Sequence, residues 1–264
     1  MRIEVDHTTL YRYSGKVSRS TTTLRLQPAT GRGQRVLDWR LDLPARAAGF
    51  TDSFGNLTQL LTLDAPYDAL TIRARGVVDV DVESGPEDAE PVNPVVFLRP
   101  TPLTASDAAL LDFSAGHRVP IRTDAASGLA GLMLAIAERM PYQPGSTSAS
   151  HTAAESFALG AGVCQDHTHV FIACCRALGV PARYVSGYVD PAGGQQATSH
   201  AWAEAWQGGC WTAFDVSNRR AGGTGYLRLA TGRDYLDASP VRGVRAGGGD
   251  ESLSVHVTVK VLNP

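Results

Sequence analysis

One cysteine-containing segment, Gly160-Ala161-Gly162-Val163-Cys164-Gln165-Asp166-His167-Thr168-His169, most strongly limits what this chain of 264 residues can fold into. The residues after Cys164 predict a helix that runs to about Leu178, where Gly179 and then Pro181 end it. The start of a helix favours negative charge, and therefore the thiolate, the form of cysteine that attacks carbonyl carbons. The preceding glycines let a substrate backbone approach the sulfur. The alternative is a small buried cysteine at a helix start.

The composition suits one large domain or two smaller ones, since 43% of the residues are hydrophobic. The net charge of −2 gives no indication of binding to nucleic acid or to an anionic membrane. The N-terminus lacks the apolar run of a signal peptide and no apolar segment is long enough to span a membrane, so we expect a cytoplasmic protein. The four cysteines have no zinc-type Cys-x₂-Cys spacing, and we expect no disulfide framework, metal or other cofactor.

The hydrophobic pattern divides the chain into a β-rich first part and a mixed remainder. Residues 1–85, beginning with strands at Arg2–Tyr13 and Thr21–Gln27, predict an antiparallel β-sandwich as an N-terminal domain. Residues 86–105 lie in a stretch rich in proline and glutamate and predict a linker. Residues 106–264 predict an α+β core, because helices come first and antiparallel strands follow.

Three elements of that core are predicted individually. A short helix begins after Ser106 as its N-cap, and a longer helix covers Thr123–Met140. A closing strand covers Ser252–Leu262.

A β-hairpin in the core can supply what a nucleophilic cysteine needs, a base and a residue that orients the base. The strand His200–Trp206 alternates large residues with alanines, so His200 and Trp202 share one face. If the turn is Gln207-Gly208, His200 lies directly across from Asp215. If the turn is one residue further on, Asp215 faces Trp202 and is the diagonal neighbour of His200. A three-residue loop would put Asp215 on the opposite face.

Several stretches together resemble the transglutaminase-like superfamily of papain-like cysteine enzymes, and within it the bacterial branch with a β N-terminal region before a transglutaminase core. The matching stretches are Asp52-Ser53-Phe54-Gly55-Asn56, Tyr142-Gln143-Pro144-Gly145, Gly160 to His169, Gly179 to Tyr188, Ser199-His200-Ala201-Trp202, Phe214-Asp215 and Gly232 to Gly243. The resemblance implies a catalytic-cysteine helix packed on an antiparallel sheet. It also implies that Cys164 is the nucleophile, His200 the general base and then acid, and Asp215 the residue that orients the imidazolium. The usual Pro-Thr-Asn after the aspartate is Val216-Ser217-Asn218 here.

The oxyanion site is expected to differ from that of the animal transglutaminases. Those enzymes use a tryptophan upstream of the cysteine, and this chain has none between Trp39 and Cys164. Backbone N–H groups at Cys164 are therefore the expected donors. Four side chains are further candidates for the oxyanion site or the pocket: Tyr142, Gln143, Gln165 and Trp202. His169 is expected to pack in the core, and Glu204 either borders the pocket or is solvated.

The expected function is that of a thiol acyl-transfer enzyme that cleaves amide bonds of peptides or proteins through a Cys164 thioester. Water as acceptor gives a cysteine peptidase or amidase, and an amine gives a transglutaminase. Hydrolysis is favoured because Gly160–Gly162 and the loop Ala192–Ser199 supply no large apolar residues to exclude water, and because only Lys16 and Lys260 are lysines. A non-catalytic peptide-binding module is the alternative from another class, and the intact Cys, His and Asp set argues against it.

Overall fold

The computed structural model describes residues 1–81, 92–189, 199–222 and 224–262. Two antiparallel sheets and a group of helices make up the fold, which confirms the predicted α+β class. The strands are β1 (Arg2–Leu24), β2 (Gln34–Asp42), β3 (Ala48–Thr51), β4 (Leu57–Leu63), β5 (Tyr67–Val80), β6 (Ala182–Val189), β7 (Ser199–Gln207), β8 (Cys210–Asp215), β9 (Arg220–Ala221), β10 (Tyr226–Gly232), β11 (Val241–Gly247) and β12 (Glu251–Leu262). The helices are α1 (Ala108–Ala115), α2 (Arg118–Thr123), α3 (Ala125–Arg139), α4 (Ala153–Leu159), α5 (Cys164–Ala177) and α6 (Tyr235–Ala238).

The first sheet, which we call the N-terminal sheet, is built around β1, a strand of 23 residues. The first half of β1 pairs with β5 and β12, and its second half pairs with β4 and β11. The pairing with β5 is irregular between Arg12 and Val17, as at a β-bulge, which lets a strand bend. The strands predicted at Arg2–Tyr13 and Thr21–Gln27 are therefore one strand. The predicted β-sandwich takes the form of one curled sheet in the order β2-β5-β1-β4-β3, with β11 and β12 also on β1.

The C-terminal strands belong to this same sheet. The closing strand, predicted within the core of residues 106–264, pairs with β1 from Arg2↔Leu262 to Tyr13↔Glu251. Val257 and Val259 are buried in the hydrophobic core of the N-terminal sheet. The physical reason is that β12 covers the edge of β1 that β5 leaves open, and alternation within a strand does not reveal its partner.

The predicted linker is packed onto the core wherever it is described. Residues 82–91 lie outside the described residues, but Pro94–Leu98 and Pro102–Thr104 form 3-10 turns. The guanidinium of Arg176 in α5 donates to the carbonyl of Phe97 at 2.8 Å and to Oγ1 of Thr104 at 2.5 Å. This part of the chain is therefore a fixed element rather than a flexible spacer. The proline-rich composition did not indicate that Phe97 would be buried here.

The helices differ from the sequence prediction at their starts. Asp107, not Ser106, caps α1, because its side chain accepts a hydrogen bond from the backbone N–H of Leu110. The helix predicted over Thr123–Met140 begins at Ala125, after Asp124 caps it and ends the separate helix α2. No helix in the described part of the chain is long and apolar enough to cross a membrane.

The second sheet, which we call the core sheet, has the order β10-β6-β7-β8-β9. Ala201, Ala203 and Ala205 on one face of β7 belong to the hydrophobic cluster that contains the buried residues of α5. Leu227 and Leu229 of β10 join the core of the N-terminal sheet. The two sheets are therefore connected by shared apolar packing, as well as by the polar contacts described below.

Candidate active site

The loop before α5 places Cys164 at the first position of that helix, where its side chain is partly exposed. Asp166 is buried and fixes the loop, since its carboxylate accepts hydrogen bonds from the backbone N–H of Val163 at 2.8 Å, from Ser156 at 2.9 Å and from Thr147 at 2.6 Å. A Cβ at Gly162 would lie 2.6 Å from the Cβ of Asp166, so glycine is required there. Asp166 thus completes the turn that presents the cysteine.

The hairpin of β7 and β8 follows the second of the two predicted registers. Gln207 pairs with Cys210, so the turn is Gly208-Gly209, and both glycines have positive φ, 58° and 84°. Asp215 consequently follows Phe214, the partner of Ala203, and becomes the diagonal neighbour of His200. Nε2 of His200 donates to Oδ2 of Asp215 at 2.7 Å, which confirms the predicted pairing of these two side chains.

Cys164 lies beside His200, close enough for its sulfur to act on the pKa of the imidazole. Asp215 engages Nε2, which leaves Nδ1 as the ring nitrogen open to the sulfur. Burial lowers the pKa of His200, but the hydrogen bonds and charges of Asp215 and Cys164 outweigh it and raise the pKa to about 10. Burial likewise raises the pKa of Asp215, yet hydrogen bonds from His200, Tyr226 and Asn218 hold it below its usual value. The buried carboxylate of Asp215 therefore favours the imidazolium form of His200 beside Cys164.

Sequence reasoning missed two residues that contact Asp215. Asn218 donates to Asp215 twice, from its backbone N–H to Oδ1 at 3.1 Å and from Nδ2 to Oδ2 at 2.7 Å. Its position three residues after the aspartate was an available signal, because such spacing closes a side-chain-stabilised turn. The phenol of Tyr226 donates to Oδ2 at 2.7 Å. No local pattern could have indicated Tyr226, since it comes from β10, which β6 and β7 separate from β8.

The side chains suggested for the oxyanion site have different surroundings. Tyr142 is 53% exposed and its backbone forms a parallel bridge with Gly162, beside the cysteine loop. Partial burial and the charge of Cys164 raise the pKa of Tyr142, so its phenol stays a donor. The backbone N–H of Gln143 donates to the carbonyl of Gly162 at 2.8 Å. Side-chain roles for Tyr142 and Gln143 stay predictions.

Gln165 lies next to the cysteine, and Trp202 lies next to the histidine. Nε2 of Gln165 donates to the carbonyl of Ala149 at 3.1 Å, which turns the side chain towards the preceding loop. Its backbone N–H and that of Cys164 occupy the first two helical positions, which have no partner within a helix. Trp202 is buried and its ring lies nearly parallel to that of His200, with centroids 6.3 Å apart. Trp202 therefore packs behind the imidazole of His200.

The other titratable residues of the motifs are structural. His169 is fully buried, its Nε2 accepts from the backbone N–H of Tyr235 at 3.1 Å, and burial lowers its pKa to about 4, which confirms the expected packing role. Burial raises the pKa of Cys174 to about 12, and it also raises the pKa of Cys175 well above its usual value. Among the described residues, no three His, Cys, Asp or Glu side chains are grouped to hold a metal ion.

Glu204 is buried in an ion pair with Arg183, with the closest atoms 2.5 Å apart, instead of being solvated. It lines a cavity of about 690 Å³ on the face of β7 away from α5. Trp202 and Tyr226 also line this cavity, and Arg32 and Asp81 contribute its wall from the N-terminal sheet. The cavity therefore lies behind the His200–Asp215 pair, and its described lining includes neither Cys164 nor His200.

Comparison with known proteins gives two family matches. The transglutaminase-like superfamily matches residues 118–216, and the bacterial transglutaminase-like N-terminal region matches residues 3–79. An uncharacterized protein of Mycobacterium tuberculosis is 32% identical over 99% of this chain and 92% of its own length. An uncharacterized protein of Mycobacterium leprae is 28% identical over 99% of both chains. A crystal structure from Cytophaga hutchinsonii, described as a candidate cysteine protease, has a TM-score of 0.77 and 23% identity, covering 100% of this chain and 91% of that one.

Proposed function

This chain belongs to the transglutaminase-like superfamily, and from that premise we propose that it is a thiol acyl-transfer enzyme that hydrolyses amide bonds of peptides or proteins. One observation carries the proposal: a partly exposed cysteine at a helix start lies beside a histidine that a buried aspartate holds by a hydrogen bond. That arrangement supplies a nucleophile, a proton carrier and an orienting carboxylate.

In the first half of the reaction, His200 holds the proton of Cys164, the thiolate attacks the carbonyl carbon of the amide, and the carbonyl oxygen becomes an oxyanion. The backbone N–H groups at the start of α5, which have no partner within the helix, are the donors expected to stabilise that oxyanion. As the C–N bond breaks, His200 transfers its proton to the leaving amine, and the acyl group remains on sulfur as a thioester. Asp215 stabilises the imidazolium before this transfer and keeps Nε2 as the donor nitrogen towards itself.

In the second half, neutral His200 takes a proton from water as that water attacks the thioester carbon. The C–S bond breaks, the carboxylic acid leaves, and the thiolate and imidazolium are restored. A primary amine in place of water would give a new amide, which is the transglutaminase alternative.

Hydrolysis is favoured by the open surroundings of the sulfur. Cys164 is partly exposed, the residues before it are Gly160–Gly162, and the neighbouring Tyr142 is largely exposed. Gly160–Gly162 place no large apolar side chain beside the sulfur, which leaves water free to compete for the thioester. The loop Ala192–Ser199, which also entered the sequence argument, lies outside the described residues except for Ser199. The cytoplasmic location and the absence of nucleic-acid and membrane partners stay predictions.

The partition of the thioester tests this proposal directly. The enzyme is incubated with a peptide library, a labelled primary amine and ¹⁸O-water, and the products are identified by mass spectrometry, with Cys164→Ala as the inactive control. We expect ¹⁸O in newly formed carboxylates and little amine incorporation. Dominant amine incorporation at millimolar amine would reassign the protein to the transglutaminases. Absence of both products, with Cys164 intact, would favour the peptide-binding module.

A further inference from the structure

We propose that the N-terminal sheet positions the aspartate of the site, through a chain of contacts that runs from Gln34 and Asp81 to β10, from Tyr226 to Asp215, and from Asp215 to His200. The catalytic importance of this chain rests on the proposed function, but its effect on His200 can be measured without a substrate. Tyr226 is in this proposal a positioning residue.

The first link fixes the carboxylate of Asp215, which is 1% exposed. Its Oδ2 accepts from Nε2 of His200, from the phenol of Tyr226 and from Nδ2 of Asn218, each at 2.7 Å. Asn218 is exposed and adjacent in sequence, so it moves with the aspartate. Tyr226 ties this carboxylate to β10, a strand that β6 and β7 separate from β8. It therefore determines where the carboxylate stands relative to the sheet that carries His200.

The second link holds the ring of Tyr226. Its ring packs against Trp202, with centroids 4.8 Å apart, and the guanidinium of Arg220 lies 5.2 Å from the ring centroid on its face. Burial and the charge of Asp215 raise the pKa of Tyr226 far above its usual value, so the phenol keeps its proton and donates. Trp202 also backs His200. The ring of Trp202 thus sets the spacing between the side chains of His200 and Tyr226.

The third link connects β10 to the N-terminal sheet through residues before and after Tyr226. The side-chain amide of Gln34 bonds both backbone groups of Arg228, accepting from its N–H and donating to its carbonyl at 3.0 Å each. The carboxylate oxygens of Asp81 both lie 3.1 Å from the backbone N–H of Gly225. Gln34 is buried, and Asp81 has φ of +58°, an uncommon conformation for a residue with a Cβ. Apolar packing alone would join the sheets, but these directed bonds fix the position of β10 along its length.

A pair of tyrosine variants tests the link to Asp215. Tyr226→Phe keeps the ring and removes the donor, and Tyr188→Phe is the matched control, because its buried phenol contacts Nδ1 of His7 at 2.6 Å. NMR titration of His200 is the first readout. We expect Tyr226→Phe to lower its titration midpoint by about one unit, since the misplaced carboxylate stabilises the imidazolium less. With a peptide-amide substrate, kcat should fall by about tenfold with KM unchanged. Tyr188→Phe should change neither.

A second pair tests the link from the N-terminal sheet. Asp81→Gly accommodates the positive φ but removes the acceptor, whereas Asp81→Asn keeps an acceptor oxygen and tolerates the same conformation. Asp81→Gly should shift the His200 midpoint in the same direction as Tyr226→Phe, and Asp81→Asn should restore it.

These measurements distinguish a failure of the positioning role from a failure of the proposed function. If Tyr226→Phe and Tyr188→Phe differ from wild type only in thermal stability, the positioning role is refuted. If Tyr226→Phe shifts the midpoint but Asp81→Gly does not, the contribution of the N-terminal sheet is refuted. A wild-type protein in which His200 titrates as described but which cleaves no amide would refute the proposed function and leave this inference standing.

Discussion

The two sides of the site are held in place by contacts of different range along the chain. On the cysteine side, Asp166 gathers donors from Val163, Ser156 and Thr147, all within 19 residues of it. On the histidine side, the carboxylate of Asp215 depends on Tyr226, and β10 is tied to Gln34, which is 194 positions from its partner in that strand. The nucleophile is therefore set by one local turn, whereas the proton carrier depends on how two sheets are assembled. Changes on the two sides should have different consequences.

The largest expected effect comes from removing the residue that joins the two sides. His200→Ala should lower kcat by about 10⁵-fold, because neither the thiolate nor the leaving amine then has a proton partner. Alkylation of Cys164 by iodoacetamide at neutral pH should slow as well, with the exposed thiol of Cys210 as an internal standard. Near-normal turnover in this variant would exclude His200 as the base.

A somewhat smaller loss is expected from Asp215→Asn, which changes the histidine side while leaving the cysteine side intact. An amide can stabilise the wrong tautomer of His200, and the corresponding change in a serine-protease triad costs about 10⁴-fold in kcat. Circular dichroism and thermal unfolding check that the fold is retained. Activity close to wild type would show that Asp215 does not orient His200, and Glu204 would have to be tested in its place.

On the cysteine side, Asp166→Ala should act mainly through stability. It leaves the N–H of Val163 and the hydroxyls of Ser156 and Thr147 without their acceptor, which should cost about 3 kcal/mol in the free energy of unfolding. Asp166→Asn keeps one acceptor oxygen and should lose less. Urea unfolding measures both. Equal losses for Asp166→Ala and Asp166→Asn would mean that the carboxylate does not act as the acceptor for this turn.

The same difference in range explains what the sequence could predict. The helix start at Cys164 and the turn Gly208-Gly209 depend on neighbouring residues, so the cysteine position and the His200–Asp215 pairing followed from spacing. The sequence did not reveal that β12 pairs with β1, nor that Tyr226 reaches Asp215, because both contacts depend on how distant strands are ordered. Phe97 shows the same limit within the predicted linker, because its burial depends on residues far along the chain, such as Trp211.

The last expected effect is a difference in sign between the pKa shifts of two histidines. Burial lowers the pKa of His7, at the contact between the two sheets, to about 4, whereas Asp215 and Cys164 raise that of His200 to about 10 despite its burial. In the unfolded chain the pKa of each histidine is about 6.5.

His200 therefore contributes stability that is fully present below about pH 6.5 and is lost as the pH rises towards 10. His7 is neutral in the folded protein, whereas the unfolded chain binds a proton there below about pH 6.5. The free energy of unfolding therefore decreases as the pH falls from about 6.5 towards 4.

Urea unfolding between pH 4 and 10 separates the two contributions. On the acid limb, below about pH 6.5, His7→Gln should make the free energy of unfolding depend less on pH. Part of that dependence should remain, because burial also lowers the pKa values of His169 and His167. His200→Gln should flatten the alkaline limb and leave the acid limb unchanged. If His7→Gln altered the alkaline limb instead, the contact between the sheets would be coupled to the imidazolium of the site, and the two sides of the site could no longer be treated as separately held.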